Sequence, residues 1–310
     1  MITTMESLVQ GLLGKSFILW YADGSAGTGL NRMMWNGFAR VGLVAGMIAL
    51  VSSPASASEI RVMAAGSLKD AFTAIFADYS KLADHSPEST GFSPVWGPSG
   101  VLRERLQNGE AFDVFASAAL PHAQALTDAG VSGPSVLFVR NALCIVTDAG
   151  RRLDGGNLVE TLLRPDIRIG TSTPVADPAG DYTWELFHRI DARHAGAFET
   201  LSKKAQQLFG GTTTSAPVNG RHRLLVALDD GEIDLFVYYC SGAQLLISAS
   251  PKYQMVELPT DLAVGPEYGL TVSRKAVPGA AEFAMYLLSP PAQRRLKSLG
   301  FIPVTLPAAP

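Results

Sequence analysis

Two serines in this chain stand where an apolar, strand-like run gives way to a helix-like run. Ser67 follows the run Ile60–Ala64 and precedes residues 68–82, whose apolar side chains recur with helical periodicity. Ser99, in the segment 96–100 (WGPSG), precedes a second helix-like run. A helix N-terminus offers unpaired N–H groups and the positive end of the helix dipole, so a serine there can help to bind an anion. Both serines can equally serve as simple helix caps.

Three further positions carry groups that could join such an anion site. Ala179 lies in a Pro-Ala-Gly-Asp-Tyr sequence, Gly220 ends a Val-Asn-Gly turn, and Tyr238 lies at the end of an apolar run. Each has an ordinary alternative: a Pro-Gly turn before a helix capped by Asp181, an Asn-Gly turn, and a core aromatic residue. The carboxylates of Asp177 and Asp181 would repel an anion unless they point away from it.

The elements that must position these residues follow a simple pattern. Short apolar runs alternate with amphipathic helix-like runs, with no internal repeat, which predicts an α/β fold with mostly parallel sheets. Such sheets bind ligands at the carboxyl ends of their strands, where both serines lie. Hydrophobic residues make up 47% of the chain and charged residues 17%, enough for a sizeable core. The net charge of −3 and the lack of a basic stretch argue against a nucleic-acid partner.

Residues 1–57 have the features of a cleaved secretory signal peptide. Arg40 precedes the apolar run Val41–Val51, and the small-residue sequence Ala-Ser-Ala follows at 55–57. The apolar run is too short to span a bilayer well. The leader is longer than usual, which indicates an extended start. We therefore expect an exported protein whose mature form begins at Ser58.

Taken in order, these motifs resemble the molybdate-binding proteins of ABC transporters, a periplasmic family with the type II binding-protein fold. The resemblance covers nearly all of the chain after residue 57. Each segment alone is weak evidence for the family, but the order and spacing of all the segments together are specific to it. The segments are AAGSL at 64–68, GPSG at 97–100, DVFASA at 113–118, PAGDY at 178–182, VY at 237–238, and a late stretch from LLSP at 287–290 to GF at 300–301.

The resemblance implies a two-lobed periplasmic binding protein-like fold (type II), each lobe a mostly parallel sheet flanked by helices. Lobe one would comprise residues 58–140 plus 241–310, and lobe two residues 141–240. The implied ligand is a tetrahedral oxyanion, molybdate or tungstate, held by neutral donors. Carried over by position, these donors are Ser67, Ser99, Ala179, Gly220 and Tyr238, with the hydroxyls of Ser67, Ser99 and Tyr238 nearest the metal-centred ion.

A member of such a family would be a periplasmic solute-binding protein and not an enzyme. It would need no cofactor, act as a monomer, and deliver its oxyanion to the membrane permease subunits of an ABC importer. In that architecture Cys144 and Cys240 would lie on strands that cross between the lobes. A disulfide there would restrict closure of the lobes, so we expect two free thiols. The chain departs from the family at Tyr239 and Cys240, which replace a small Gly-Ser pair.

The residues leave two alternatives. The same fold could bind sulfate, phosphate or a small carboxylate, and for a carboxylate a fork could come from Arg140, Arg221 or Arg223. The chain could instead be a secreted serine hydrolase that uses Ser67 or Ser99 as its nucleophile. Against this, the sequence has no G-x-S-x-G motif, and its five histidines stand in no recognisable order relative to the two serines.

Export has a direct test. N-terminal sequencing of protein secreted by an expressing bacterium should give Ser58 as the first residue, because 55–57 is the small-residue site that follows the apolar run. A protein that stays in the cytoplasm with residues 1–57 attached would contradict the prediction.

Overall fold

The computed structural model describes residues 59–82, 91–210 and 220–306. The predicted signal peptide at 1–57 lies outside these ranges. Within them, no helix has both the length and the apolar character needed to cross a membrane. The described residues form two β-sheets with helices packed against them, which confirms the predicted α/β class.

Strands and helices alternate along the chain. The first part comprises β1 (Ile60–Ala65), α1 (Lys69–Tyr79), β2 (Phe92–Gly97), α2 (Ser99–Gln107), β3 (Val114–Ser117), α3 (Leu120–Asp128) and β4 (Val136–Arg140). The middle part comprises β5 (Leu143–Asp148), α4 (Leu158–Leu163), β6 (Ile169–Ser172), α5 (Pro178–Asp191), α6 (Ala197–Lys204), β7 (Ala205–Phe209), α7 (Arg223–Asp229), β8 (Leu235–Tyr239), α8 (Cys240–Ser248) and β9 (Tyr253–Glu257). The last part comprises β10 (Glu267–Val272), α9 (Ala280–Leu287), α10 (Pro290–Ser298) and β11 (Ile302–Pro303).

The first sheet has the strand order β11-β4-β10-β3-β1-β2, and the second has the order β7-β6-β8-β5-β9. Helix α1 shows how the amphipathic pattern builds the first layer. Its buried side chains Phe72, Ile75 and Tyr79 recur three or four residues apart, so they share one face. That face meets Phe283 of α9, whose ring packs edge-on against Phe72.

The sheets are mixed, which corrects the prediction that each is mostly parallel. Pairs that flank a helical crossover are parallel, namely β1 with β2 and β3, and β6 with β7 and β8. The strands β5 and β10 run antiparallel to their neighbours. Each of them enters its sheet directly from the other one. No helical crossover within its own sheet therefore forces a parallel pairing.

Strand β9 extends the second sheet beyond the boundary that the sequence indicates. It pairs with β5 from Tyr253 to Glu257, whereas the sequence assigns 241–310 to lobe one. The chain thus passes between the sheets at residues 141–142 and again at 258–266. The two passages touch, because the Asn141 N–H donates to the Pro266 carbonyl at 3.0 Å. The division into two lobes stays a prediction.

Cys144 and Cys240 form a disulfide bond, so the expectation of two free thiols is wrong. The expectation placed both cysteines on strands between the lobes, but both lie in the second sheet and its helix α8. Strands β5 and β8 pair with Leu143 opposite Tyr239. The next residue, Cys240, donates its N–H to the Ala142 carbonyl at 2.9 Å. This register brings the two Cα atoms within 5.0 Å, inside the range for a disulfide.

Thiol counting on denatured, unreduced mature protein should find no free thiol. The bridge closes a loop of 96 residues, so replacing both cysteines by alanine should lower the free energy of unfolding by roughly 3–5 kcal/mol. Chemical denaturation of the two proteins measures this difference. Two free thiols in the wild-type chain, or an unchanged denaturation midpoint in the variant, would contradict the assignment.

Candidate ligand-binding site

Ser67 and Ser99 come together at one edge of the first sheet. Strands β1 and β2 are parallel neighbours with Ala65 opposite Gly97, so their carboxyl ends lie roughly 5 Å apart. Ser67 lies in a short 3-10 turn that leads into α1, and Ser99 is the first residue of α2. No side chain caps either of these two helical starts. Their first N–H groups are therefore not occupied by a side-chain acceptor.

Ser67 and Tyr238 share a small cavity. It has a volume of about 50 Å³, and its lining includes Ser67, Asp70, Tyr238, Ser241, Gly242 and Phe301. Of the predicted site residues, the structure thus brings Ser67 and Tyr238 together. Ser99 lies at the neighbouring strand end, and Ala179 and Gly220 are not part of the lining. Gly220 is exposed and has a φ of 76°.

Asn141 organises the hydroxyl groups around this cavity. It is buried, and its side-chain oxygen accepts from the N–H groups of Ala142, at 2.9 Å, and Ser241, at 3.4 Å. Its NH₂ group donates to Ser241 Oγ at 2.8 Å and to the Tyr268 hydroxyl at 3.3 Å. All the hydrogen-bonding capacity of the amide is used. The two acceptor contacts to backbone N–H groups also fix which side of the amide is the oxygen.

The direction of the Ser67 hydrogen bond follows from Asn141. The Tyr268 hydroxyl is fully buried and lies 3.0 Å from Ser67 Oγ. The Tyr268 oxygen already accepts from Asn141 Nδ2. We assign its hydrogen to Ser67 Oγ, because this assignment gives the buried O–H a partner. Ser67 Oγ is then an acceptor within the protein. Its own hydrogen is left to point into the cavity.

His222 gives the hydroxyl of Tyr238 a similar hydrogen-bond direction. The Leu224 N–H donates to His222 Nδ1 at 3.3 Å, and burial lowers the pKa of His222, so the neutral ring carries its hydrogen on Nε2. That nitrogen lies 3.4 Å from the Tyr238 hydroxyl. Nε2–H therefore donates to the Tyr238 oxygen. The hydrogen of the Tyr238 hydroxyl is left for a ligand.

Ser99 shows the same direction of hydrogen bonding. Its side chain is 1% exposed, and its Oγ accepts from the Ala118 N–H at 3.0 Å. This is the hydrogen bond that Ser99 Oγ makes within the described ranges, so its hydrogen is also available. Ser67 and Tyr238 line the cavity together with the Asp70 carboxylate, whereas Ser99 lies outside this lining, at the end of the neighbouring strand.

Helix α5 differs from α2 because a side chain caps its N-terminus. The helix begins at Pro178, and Asp177 Oδ1 accepts from the Ala179 N–H at 3.1 Å. The amide that the resemblance assigns to the anion therefore has an internal partner. The sequence pattern favoured Asp181 as the cap, but Asp181 accepts from the Val175 N–H at 2.7 Å instead. Both carboxylates are bonded to nearby backbone.

The segment around Asp177 also touches the first sheet. The Gly100 N–H of α2 donates to the Ala176 carbonyl at 3.2 Å, and a Cβ at Gly100 would collide with the Val175 carbonyl oxygen. Tyr182 of α5 reaches the Ala118 carbonyl with its hydroxyl, at 3.4 Å. Glycine at position 100 thus permits the close approach of the second sheet's loop to α2.

Two alternatives from the sequence lose their structural basis. Arg140, Arg221 and Arg223 each pair with a carboxylate away from the cavity, that of Glu267, Asp229 and Glu232 respectively, so none supplies a fork for a bound carboxylate. A serine nucleophile needs a histidine base within hydrogen-bonding reach. In the described part of the chain, the Ser67 hydroxyl bonds to the Tyr268 hydroxyl and the Ser99 hydroxyl accepts from the Ala118 N–H.

The sequence analysis missed Asn141, His222, Ser241 and Tyr268. Their types and spacing carry no motif, because residues 141 and 268 are 127 positions apart. One signal was present. Asn141 is a polar residue between two strand-like apolar runs, and a buried amide of this kind needs partners.

The described residues form two mixed sheets and a small cavity whose lining includes the side chains of Ser67, Tyr238 and Ser241. The chain belongs to the bacterial extracellular solute-binding protein family, which matches residues 60–302. A curated relative, an uncharacterized protein of Pasteurella multocida (strain Pm70), is 30% identical over 249 residues, covering 79% of this chain and 98% of that protein.

Two solved structures show a similar fold. The sulfate-binding protein SubI of Mycobacterium tuberculosis H37Rv is 19% identical, with 80% of this chain and 87% of that chain covered and a TM-score of 0.65. The periplasmic molybdate-binding protein of Azotobacter vinelandii is 16% identical, with 80% and 100% covered and a TM-score of 0.63. At these identities the likeness establishes the fold alone.

Asp177 gives the site a pH-dependent contribution to stability. Burial raises the pKa of Asp177 from 3.8 to about 6, against the opposing effect of hydrogen bonds from Ala179 and Ser172. The folded state therefore holds this proton more tightly than the unfolded chain. The free energy of unfolding should consequently fall as the pH rises from about 4 to about 6.

Asp177→Asn retains a side chain that can cap α5 and should remove this part of the pH dependence. Denaturant unfolding of both proteins across that pH range measures the difference. Parallel pH profiles for the wild type and the variant would contradict the assignment.

Proposed function

We propose that the chain captures a tetrahedral oxyanion, molybdate or tungstate, in the periplasm and delivers it to the permease subunits of an ABC importer. The observation that carries this proposal is the shared direction of the hydrogen bonds. With the donors assigned as above, the hydroxyls of Ser67 and Tyr238, which line the cavity, accept from Tyr268 and His222 and direct their own hydrogens to the ligand. Ser99 Oγ accepts from the Ala118 N–H at the neighbouring strand end, which leaves its hydrogen available as well. A fully ionised oxyanion offers acceptors only, so it matches such a set.

The size of the cavity supports a small ligand. A volume of about 50 Å³ exceeds the roughly 30 Å³ that one water molecule occupies in the liquid, so the cavity suits a ligand of only a few atoms. Helix α2 has no side-chain cap among the described residues, so the positive end of its dipole lies at Ser99, although its Gly100 N–H already donates to the Ala176 carbonyl. Partial positive charge of this kind stabilises an anion without a counter-ion from lysine or arginine.

The solved relatives are consistent with this ligand class. One is named as a molybdate-binding protein and another as a sulfate-binding protein, and both ions are tetrahedral. The family description as extracellular, together with the leader pattern at 1–57, supports export. The disulfide between Cys144 and Cys240 suits an oxidising compartment such as the periplasm.

A second candidate ligand is hydrogen phosphate, which one observation favours. The carboxylate of Asp70 lines the cavity and could accept the hydrogen that this ion carries. Asp70 is exposed, so water screens its repulsion of a fully ionised ligand. Molybdate therefore stays the first candidate.

Removing single hydroxyls tests the proposal. Ser67→Ala, Ser99→Ala and Tyr238→Phe should each weaken molybdate binding ten- to a hundredfold, since a hydrogen bond to a charged group contributes about 1.5–3 kcal/mol. Isothermal titration calorimetry on mature protein measures the dissociation constants. Tyr238→Phe is the cleanest variant because it leaves the helix starts unchanged.

Matched controls are Ser202→Ala and Tyr286→Phe, whose side chains lie outside the cavity lining. Both should bind molybdate like the wild type. If Ser67→Ala and Tyr238→Phe, the two variants in the cavity lining, both keep wild-type affinity while the wild type binds molybdate, the ion binds elsewhere. If the wild-type chain binds no tetrahedral oxyanion at millimolar concentration, the proposed function is wrong.

A further inference from the structure

Ser241 lies in the same cavity as Ser67 and Tyr238, although it belongs to no motif that the resemblance supplies. It is the second residue of α8 and is 1% exposed. Its neighbours Tyr239 and Cys240 replace the small pair of the resembled family. The disulfide of Cys240 to β5 anchors the start of α8. The position of Ser241 is therefore set by the second sheet.

The hydrogen-bond partners of Ser241 give its hydroxyl a definite direction. Its Oγ accepts from Asn141 Nδ2 at 2.8 Å, and within the described ranges this is the bond that Oγ makes. Its hydrogen is therefore free to point into the cavity. Asn141 thus sends one N–H to Ser241 directly and the other to Ser67 by way of Tyr268.

We propose that Ser241 is a ligand-binding residue, and that Asn141 is the positioning residue that selects fully ionised oxyanions by making Ser241 and Ser67 hydrogen donors. This inference rests on the proposed function of the same cavity. Asn141 itself does not line the cavity. It acts through the hydroxyls, because an amide NH₂ can only donate and so forces its partners to accept.

The place of Asn141 in the fold suits this role. It lies at the first passage between the sheets, and its N–H bonds the Pro266 carbonyl of the second passage. Its side chain then reaches α8 of the second sheet and β10 of the first. The donor arrangement therefore depends on both passages and on elements of both sheets. A ligand that needs those donors is bound where the sheets are joined.

The first arm of the test removes the Ser241 hydroxyl. Ser241→Ala should lower the affinity for sulfate and for molybdate ten- to a hundredfold in titration calorimetry. Ser248→Ala is the matched control, since Ser248 is an exposed serine of the same helix that bonds the Gln244 carbonyl. It should bind both ions like the wild type. Equal affinities of the two variants would overturn the assignment of Ser241.

The second arm replaces the hydrogen-bond donor of the Asn141 side chain by an acceptor. In Asn141→Asp the carboxylate still accepts from the N–H groups of Ala142 and Ser241, but it can no longer donate to Tyr268 or to Ser241 Oγ. These hydroxyls would then donate to the carboxylate and offer oxygen lone pairs towards the cavity. An ion that carries its own hydrogen gains a partner, whereas sulfate loses donors.

The readout is the ratio of the sulfate affinity to the phosphate affinity at mildly alkaline pH, where phosphate is mostly the hydrogen phosphate dianion. The added negative charge then weakens both dianions similarly and largely cancels in the ratio, and the reversal should lower the ratio at least tenfold. A purely structural role would reduce both affinities together and leave the ratio unchanged, which would overturn the role of Asn141. Tyr268→Phe is a charge-neutral second variant, and it should lower the ratio in the same direction by breaking the link to Ser67.

The outcomes separate this inference from the proposed function. Oxyanion binding by the wild type, with Ser241→Ala and both ratio variants unchanged, overturns this inference alone. Absence of oxyanion binding by the wild type overturns the proposed function and this inference with it.

Discussion

The direction of the hydrogen bonds around Asn141 is the constraint on which the rest of the site depends. An amide buried between two sheets must use its donors and acceptors, because an unpaired buried polar group costs about 1–3 kcal/mol. Backbone N–H groups occupy the Asn141 oxygen, so its NH₂ group donates to the surrounding hydroxyls. Those hydroxyls become acceptors towards the protein and donors towards the cavity. His222 imposes the same direction on Tyr238 from the other side.

The fold keeps these groups in place by several independent means. Parallel pairing of β1 and β2 aligns the ends from which Ser67 and Ser99 follow. The antiparallel strands β5 and β10 carry the chain into each sheet beside Asn141 and Tyr268. The disulfide fixes the start of α8 next to β5, and Asn141 bonds both the N–H and the hydroxyl of Ser241.

The parts of the site that sequence could predict are those with a local pattern. A strand-like run followed by a serine and an amphipathic run made Ser67 and Ser99 candidates, because the strand end and the helix start lie close together in the sequence at both positions. The α/β class followed from the same alternation. The same kind of argument chose the wrong capping residue for α5. It favoured Asp181 over Asp177, because both residues stand near the start of the helix-like run. Only the structure shows that the helix begins at Pro178.

The remaining features depend on contacts between distant residues, which spacing cannot reveal. The pairing of Cys144 with Cys240 needs the register of β5 against β8, and the bonds of Asn141 to Tyr268 and Ser241 span 127 and 100 positions. The antiparallel pairing of β5 and β10 likewise depends on how the chain passes from one sheet to the other, which the local sequence does not show. The proposed donor character of the cavity rests on these contacts and not on the motifs.

Titration calorimetry of the mature wild-type chain against molybdate, sulfate and phosphate near neutral pH tests the central claim most directly. A cavity whose hydroxyls all donate should bind molybdate or sulfate at least tenfold more tightly than phosphate, because the hydroxyls do not accept the hydrogen of hydrogen phosphate and the Asp70 carboxylate in the lining is exposed to water. Equal or tighter binding of phosphate would contradict the account, since the Asp70 carboxylate and not the hydroxyl donors would then decide which ion binds.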